Sequence, residues 1–296
     1  MKPFLANYAR LSAIFTVTMV SLMLVVKALA FFNSGSASVL ASFTDSVLDC
    51  TISLVTLMVV SWSQKPADDD HRFGHGKIEG VAALLQAGLM FSAAFFIALD
   101  SIQRLVDKTP IENQISSIGL LIFAMILTIV MVVAQKYFLK KTNSLALKAD
   151  HAHYSTDIFL NGVVIISLLL SQYGAPPIID VLLALGIAAL FVKTAFKMGH
   201  EAFDMLMDKQ VDEAILKDIT EIVARQEGIL GMHDLRVTLS GTRHMISFDV
   251  EMDPSILLWT AHEMARVAEK AILEKYPEAD IIIHIDPYGD TYDARH

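Results

Sequence analysis

Long apolar segments alternate with short polar ones over the first two thirds of the chain. A helix needs about 20 apolar residues to cross the ~30 Å hydrocarbon core of a bilayer. We therefore predict six membrane-spanning helices, over residues 11–32, 39–62, 78–102, 115–138, 150–172 and 178–198. The first segment is too long for the core of a signal peptide and lacks a small-residue cleavage site after it, so we expect it to be retained.

The pattern changes after Met198, and charged residues return at the density of a soluble domain from Asp204 onward. Helical and alternating periods then predict the order helix 212–226, strand 233–239, strand 244–252, helix 256–276 and strand 280–286. We expect an all-α membrane domain of six helices over residues 1–203, followed by a small cytoplasmic α+β domain over 204–296. In the second domain, both helices should cover one face of a three-stranded sheet.

Composition supports a membrane protein and excludes some partners. The chain is 54% hydrophobic with a mean hydropathy of +0.51, which is more than a soluble protein of 296 residues ordinarily carries. The net charge of -9 argues against a nucleic-acid partner, because phosphate contacts require positive charge, and instead favours cations near the surface. Cys50 is the single cysteine of the sequence, so no internal disulfide is possible.

Lysine and arginine residues near the ends of the predicted spans are distributed unequally between the two sides. One side has only Arg104 and Lys108. The other side has Lys2, Arg10, Lys65, Arg72, Lys77, Lys136, Lys140, Lys141, Lys148, Lys193 and Lys197. Because positive residues accumulate on the cytoplasmic side of a membrane, we predict that both termini are cytoplasmic.

Two aspartates stand inside the second predicted span, where each opposes insertion by roughly 2.5–3.5 kcal/mol. Asp45 and Asp49 are four residues apart and so share one helix face, and His153 and Asp157 repeat this spacing in the fifth span. If these helices face each other, three carboxylates and one imidazole converge. Such a set suits a tetrahedral divalent transition metal and favours zinc over magnesium or calcium. The structural alternatives are an ion pair with Lys27 and a satisfied core histidine.

The polar segment KPADDDHRFGHGKIEG joins the second and third spans and contains a second group of metal-binding residue types. Pro66 ends the preceding helix, and two glycines loosen the backbone that follows. Asp68, His71 and His75 could close around a metal ion there. A solvated acidic loop is the alternative that the composition leaves open.

The last predicted strand places His284 and Asp286 on one face and its isoleucines on the other. His233 in the first strand, Asp249 in the second strand and His262 in the second helix could reach the same neighbourhood. The pattern alone explains each of them equally well as a surface polar residue.

Taken together, these features resemble the cation diffusion facilitator family. The resemblance comprises six spans, the DxxxD pair, the HxxxD pair, FGHGKIEG after the second span and a metallochaperone-like αββαβ tail, and it extends from about Arg10 to Pro287. It implies a homodimeric zinc exporter of the bacterial inner membrane that exchanges metal for protons by alternating access. Cadmium, ferrous iron and manganese stay open as alternative substrates.

The resemblance also implies three sets of metal ligands. The transport site corresponds to Asp45, Asp49, His153 and Asp157, and the loop site corresponds to Asp68, His71 and His75. A two-metal site near the dimer interface corresponds to His233, His262, His284 and Asp286. The chain departs from the family pattern at Asp249, where a histidine ligand is expected, although a carboxylate also binds zinc.

Three rival functions use similar ligands. A cation channel also selects ions with acidic rings, but conduction requires weak binding rather than a tight four-ligand site. A membrane metallohydrolase requires an open position on zinc, and with four protein ligands and no legible nucleophile motif we do not expect an enzyme. A membrane metal sensor is the third alternative.

Overall fold

The computed structural model describes residues 4–34, 37–107, 115–173 and 176–289. The chain divides into two compact units, Met1–Phe203 and Asp204–His296. Lys2 and Lys108, which entered the orientation prediction, lie outside the described residues.

Six long helices make up the described part of the first unit. They are α1 (Phe4–Ser34), α2 (Ala37–Ser63), α3 (Ile78–Asp107), α4 (Ile115–Leu139), α5 (Leu145–Gln172) and α6 (Pro177–Leu206). Each helix contains one of the predicted windows. Several helices continue beyond the window, because a helix does not have to end where its apolar character ends.

Within the described residues, five of these helices are long and apolar enough to cross a membrane, and α5 is not among them. Lys148, Asp150, His153 and Asp157 lower its hydropathy. Its 28 residues still give a length of about 42 Å, which is enough for a bilayer. Because α5 contacts α1, α2, α3 and α4, its polar residues have protein neighbours in place of lipid.

Burial in the first unit is reversed relative to a soluble protein. Large apolar side chains such as Leu85, Phe96 and Phe196 are exposed on the outside, as expected for a surface that faces lipid. Many buried positions hold small residues, among them Ser12 and Ala83. Small residues let helix backbones approach closely, which favours packing inside a bilayer.

The second unit has the predicted order αββαβ. Its elements are α7 (Glu213–Ala224), β1 (Gly231–Ser240), β2 (Arg243–Met252), α8 (Leu258–Lys275) and β3 (Asp280–Pro287). The strands form one sheet in the order β1-β2-β3, in which β1 and β2 are antiparallel and β2 and β3 are parallel.

Buried and less buried residues alternate along β2, and the buried apolar ones mark the face of the sheet that the helices cover. Ile246, Phe248, Val250 and Met252 are buried on one face. Residues of α7 and α8 join them in a single apolar core, which includes Ile219, Val223, Ala261, Ala265 and Ile272. The prediction that both helices cover one face is therefore confirmed. Asp249 points to the opposite face.

Candidate metal centres

The facing sides of α2 and α5 bring three predicted ligands together. The Nε2 atom of His153 lies 3.4 Å from Oδ1 of Asp49 and 3.6 Å from Oδ2 of Asp157. One ligand atom from each of the three side chains lies within 4.8 Å of the other two. All three side chains are half-buried. Asp45 lies one turn earlier on α2, but its side chain is outside the described part of the chain.

We call Asp49, His153 and Asp157 the α2–α5 cluster. Buried Tyr154 lies next to this cluster and contacts both helices. Tyr154 Oη and Ser53 Oγ are 2.6 Å apart, and the same hydroxyl lies 3.3 Å from the backbone oxygen of Asp49. The ring of Tyr154 meets the His153 ring edge-on, with 5.1 Å between centroids. These contacts connect the two ligand-bearing helices at the level of the ligands.

Asp150 is a second carboxyl group of α5. It lies one turn before His153 and is fully buried. Gln135 of α4 donates through Nε2 to Asp150 Oδ2 at 2.8 Å and to Thr16 Oγ1 of α1 at 2.9 Å. These bonds attach α1 and α4 to α5 beside the cluster.

The cluster opens into a cavity of about 480 Å³ between the helices. Its wall is mostly apolar, and outside the cluster it is interrupted by polar side chains, which include Lys27, Ser46, Gln86, Thr128 and Asn161. Lys27 is itself buried. The cavity thus combines ligand oxygens and an imidazole with the amine of Lys27, and it is large enough for a partly hydrated cation.

The loop between α2 and α3 gathers its three predicted ligands. Nδ1 of His71 lies 3.4 Å from Oδ1 of Asp68, and Nε2 of His75 lies 3.3 Å from Oδ2 of the same carboxylate. The turn between the histidines uses Gly74 at φ +76°, a left-handed conformation that glycine adopts without strain. The centroids of the two imidazole rings lie 4.5 Å apart.

Local hydrogen bonds prepare Asp68 for a cation. The backbone N–H groups of His71 and Asp70 donate to its Oδ1 at 2.7 Å and 3.1 Å. The His71 bond is the main cause that holds the pKa of Asp68 below its usual value, so the carboxylate is charged. His75 packs beside the Trp62 ring, and its Nδ1 is buried without a hydrogen-bond partner among the described residues.

The open face of the tail sheet carries the third group of side chains. Strand register places His233, Asp249 and His284 side by side on β1, β2 and β3. Asp286 joins them, with its Oδ2 3.4 Å from Nε2 of His233 and its Oδ1 3.1 Å from Nε2 of His284. We define the sheet cluster as six residues: His233, Asp234, Asp249, Glu251, His284 and Asp286.

Two acidic residues of the sheet cluster were not predicted as ligands. Glu251 lies opposite Asp286 in the register, with Oε1 3.9 Å from His233 Nε2. Asp234 would point away from His233 in a regular strand. A register shift after His233 and a φ of +50° at Asp234 turn its carboxylate to within 4.0 Å of His233 Nδ1. Alternation in the sequence places Glu251 on the same strand face as Asp249. The bulge that turns Asp234 toward His233 has no such sequence pattern.

His262 is not brought to the sheet cluster within one chain. It lies on α8, which packs on the opposite face of the sheet, and its ring is exposed 6.4 Å from the ring of Trp259. The structure therefore gathers three of the four tail ligands that the resemblance implies, together with Asp249.

Comparison with known proteins identifies both units. The family profile described as "Cation efflux transmembrane domain" matches residues 13–207, and that described as "Cation efflux protein, cytoplasmic domain" matches residues 211–288. The chain belongs to the cation diffusion facilitator family. Its relatives include the cation-efflux pump FieF of Salmonella agona (strain SL483) and of Salmonella enteritidis PT4 (strain P125109). Each is 41% identical over 284 residues, which span 95% of this chain and 94% of the relative.

Solved structures of cytoplasmic domains are among those similar to the tail. The metal-bound C-terminal domain of the CzcD transporter from Thermotoga maritima is 26% identical, with a TM-score of 0.26 over 27% of this chain and 99% of that chain. As a cation diffusion facilitator, the protein is a multi-pass membrane transporter for cation efflux with a C-terminal cytoplasmic domain. The resemblance seen in the sequence is thereby confirmed at the level of the family.

Proposed function

We propose that this protein exports zinc from the bacterial cytoplasm in exchange for protons, by alternating access of a site formed by Asp45, Asp49, His153 and Asp157. The main support is the α2–α5 cluster, in which ligand atoms from two helices lie within 4.8 Å of one another. The cluster opens into a cavity between helices. Sites of this kind, near the middle of a bundle, are typical of transporters that open alternately to the two sides.

The ligand types favour zinc among divalent cations. A neutral imidazole suits zinc better than magnesium or calcium, and carboxylates complete a tetrahedral set. Carboxylate oxygens also bind cadmium, ferrous iron and manganese, and we include these ions as alternative substrates. Zinc enters and leaves here as the substrate.

Proton exchange requires no further group. Metal ligands must lose their protons to bind, so zinc binding releases protons and reprotonation helps to expel the metal. We assign the main proton-carrying role to His153, because an imidazole titrates in the physiological range and its Nε2 faces both Asp49 and Asp157. Asp157 or Asp49 carries the second proton.

The loop and the sheet cluster supply regulatory metal sites in this proposal. Asp68, His71 and His75 hold one ion, and the sheet cluster holds two. His262 is separated from the sheet cluster in one chain, so a homodimer that supplies it from the second copy is the arrangement we propose. Both termini and the tail domain lie in the cytoplasm, in keeping with the distribution of lysine and arginine.

Zinc flux into liposomes tests the central assignment. Wild type, Asp49→Ala and the matched control Asp180→Ala are reconstituted with a zinc-sensitive dye inside, and flux is recorded with and without a pH gradient. Asp180 also lies in a span, α6, and its carboxylate contacts Ser167 of α5, outside the cluster. We expect saturable, gradient-dependent flux in wild type and control and its loss in Asp49→Ala.

Other outcomes favour the rival functions. Flux that does not saturate and is accompanied by single-channel currents would indicate a cation channel. Zinc binding without flux in wild type would indicate a metal sensor. Equal flux in Asp49→Ala and wild type would reject the α2–α5 cluster as the transport site.

A further inference from the structure

Glu79, in the first turn of α3, is an almost fully buried carboxyl group that belongs to none of the candidate metal centres. Its side chain is 2% exposed. A buried carboxyl group is costly unless donors surround it, so its partners are informative. Those partners come from two other segments of the chain.

The carboxyl oxygens of Glu79 join the end of α2 to the start of α5. Ser63, the last residue of α2, donates through Oγ to Oε1 at 2.8 Å. Ser144, directly before α5, donates through Oγ to Oε2 at 2.7 Å. The backbone N–H of Ala146, in the first turn of α5, points to the same oxygen at 3.4 Å. We call this arrangement the Glu79 clasp.

The start of α5 is well suited to hold such a group. The first N–H groups of a helix have no partner inside the helix, and the helix dipole is positive at this end. Ser144 Oγ accepts one of these N–H groups, that of Leu147, at 3.3 Å. Glu79 faces another one, so the clasp engages the helix end itself as well as a side chain.

The clasp connects, at one end, the two helices that carry the proposed transport ligands. At the level of the ligands the same helices are connected by Tyr154, whose hydroxyl contacts Ser53 Oγ and the backbone oxygen of Asp49. Ser53 and Ser63 are ten residues apart on α2, and Ser144, directly before α5, is ten residues before Tyr154. Two antiparallel helices are thus joined at matching points about 15 Å apart.

Two ties fix more than one tie can. A single tie at Tyr154 lets α5 pivot about that point relative to α2. A second tie about 15 Å away along both helices would oppose this pivot, which would otherwise change the distance between Asp49 and His153. We propose, on the basis of the transport role proposed above, that Glu79 is a positioning residue for transport that holds α2 and α5 in register at the loop end of the bundle.

Distances between α2 and α5 test the clasp without any metal. Spin labels are attached at Lys65→Cys and Asn143→Cys, two exposed positions just beyond Ser63 and just before Ser144, in full-length protein carrying Cys50→Ser. Labelled chains are diluted with unlabelled chains, so that distances within one chain dominate. We expect a narrow distribution in the parent and a broader, longer one in Glu79→Ala. Glu79→Gln, which keeps the side-chain length and one acceptor, should lie between them.

The matched control removes a buried polar tie that does not involve α5. Thr56 of α2 accepts a hydrogen bond from Gln86 of α3 at 2.9 Å and is buried as deeply as Glu79. Thr56→Val should leave the α2–α5 distances as in the parent. Equal broadening in Thr56→Val and Glu79→Ala would overturn the proposal, because the effect would then be a general loosening of the bundle.

Zinc flux in liposomes supplies the functional readout. At zinc concentrations below saturation, flux through Glu79→Ala should be at least about tenfold lower than through the parent. Displacements of reacting groups near 1 Å cause losses of this size or more. Thr56→Val should retain its flux. Unchanged distances in Glu79→Ala and Glu79→Gln, or broadened distances with unchanged flux, would each overturn the positioning role. If Asp49→Ala instead keeps its flux, the transport assignment fails, and the metal-free distances still decide whether the clasp holds the helices.

Discussion

The α2–α5 cluster and the sheet cluster combine the same residue types in opposite surroundings. Asp49, His153 and Asp157 are 19–23% exposed between two helices. In the sheet cluster, His233 and His284 are 45% and 56% exposed on an open face. The first group is fixed by contacts behind it, through Tyr154, whereas the second is fixed by strand register.

This difference separates what each cluster can do. In the proposed transport site, an ion between α2 and α5 would exchange with solvent through the cavity, so its release would depend on how the helices move. An ion on the sheet face exchanges directly with solvent unless another surface covers it. Transport chemistry therefore fits the first cluster, and metal sensing or assembly with a second chain fits the other.

The largest expected effect is a loss of stability confined to the tail, caused by removing a core side chain beneath the sheet. Phe248 is fully buried in β2 beside Asp249, and Phe248→Ala should lower the free energy of unfolding of the tail by about 3–5 kcal/mol. Hydrogen exchange should show lost protection in β1, β2 and β3 and unchanged protection in α2 and α5. The exposed Val267→Ala on α8 is the control, expected within about 0.5 kcal/mol of wild type. Lost protection in α2 would mean that the two regions do not fold separately.

The next effect compares one histidine from each cluster. His153→Ala should reduce zinc flux at least about 100-fold, equivalent to ~2.7 kcal/mol, because it removes the only nitrogen ligand described in the α2–α5 cluster. His284→Ala should change flux by less than about tenfold, because His284 belongs to the second unit and not to the α2–α5 cluster. Flux assays in liposomes measure both variants. The reverse order of effects would contradict the division of roles.

A smaller effect tests the support behind the transport ligands. Tyr154→Phe removes the hydroxyl that contacts Ser53 and the Asp49 backbone, and should weaken zinc binding about tenfold, as loss of such supporting hydrogen bonds commonly does. Zinc titration with a competing chelator measures this affinity. Tyr137→Phe, an exposed tyrosine on α4, is the control and should bind zinc like wild type. Equal affinities in all three proteins would show that the hydroxyl does not position the ligands.

The smallest effect concerns pH and the tail alone. Burial lowers the pKa of His244 on β2, whereas an unfolded histidine has a pKa of about 6.5. The unfolded chain therefore binds more protons as the pH falls through about 6.5, and the folded tail loses stability. Hydrogen exchange of the metal-free protein at about pH 7.5 and about pH 5.5 should show this loss. His244→Asn should lessen it, and a stability that rises on acidification relative to this variant would contradict the burial.

The sequence predicts the elements well and their ends less well. All six apolar windows lie inside helices, and the tail follows the predicted order. The start of α5 was placed at 150, five residues late, because the window followed hydropathy and the helix begins directly after Ser144. β1 begins at Gly231 and not at His233, since hydrogen bonding with β2 continues past the point where alternation becomes legible.

In the candidate metal centres, too, the sequence predicted the local arrangement of ligands but not the features that depend on pairing between strands. Spacing alone indicated that Asp49 lies one turn from Asp45 and that His153 lies one turn from Asp157, because helix periodicity is local. Alternation likewise placed His284 and Asp286 on one strand face. Asp234 escaped prediction, because a bulge forms only when two strands are paired.

By itself, the sequence determined which residues share a helix face or a strand face, and therefore which carboxylates and imidazoles could act together. Only the tertiary structure decided that α2 lies against α5, that Glu79 joins their ends, and that His262 lies across the sheet from His233. The physical reason is the range of the forces involved. Periodicity follows from backbone geometry over a few residues, whereas the choice of neighbours depends on burying surfaces and satisfying polar groups that are far apart in the chain.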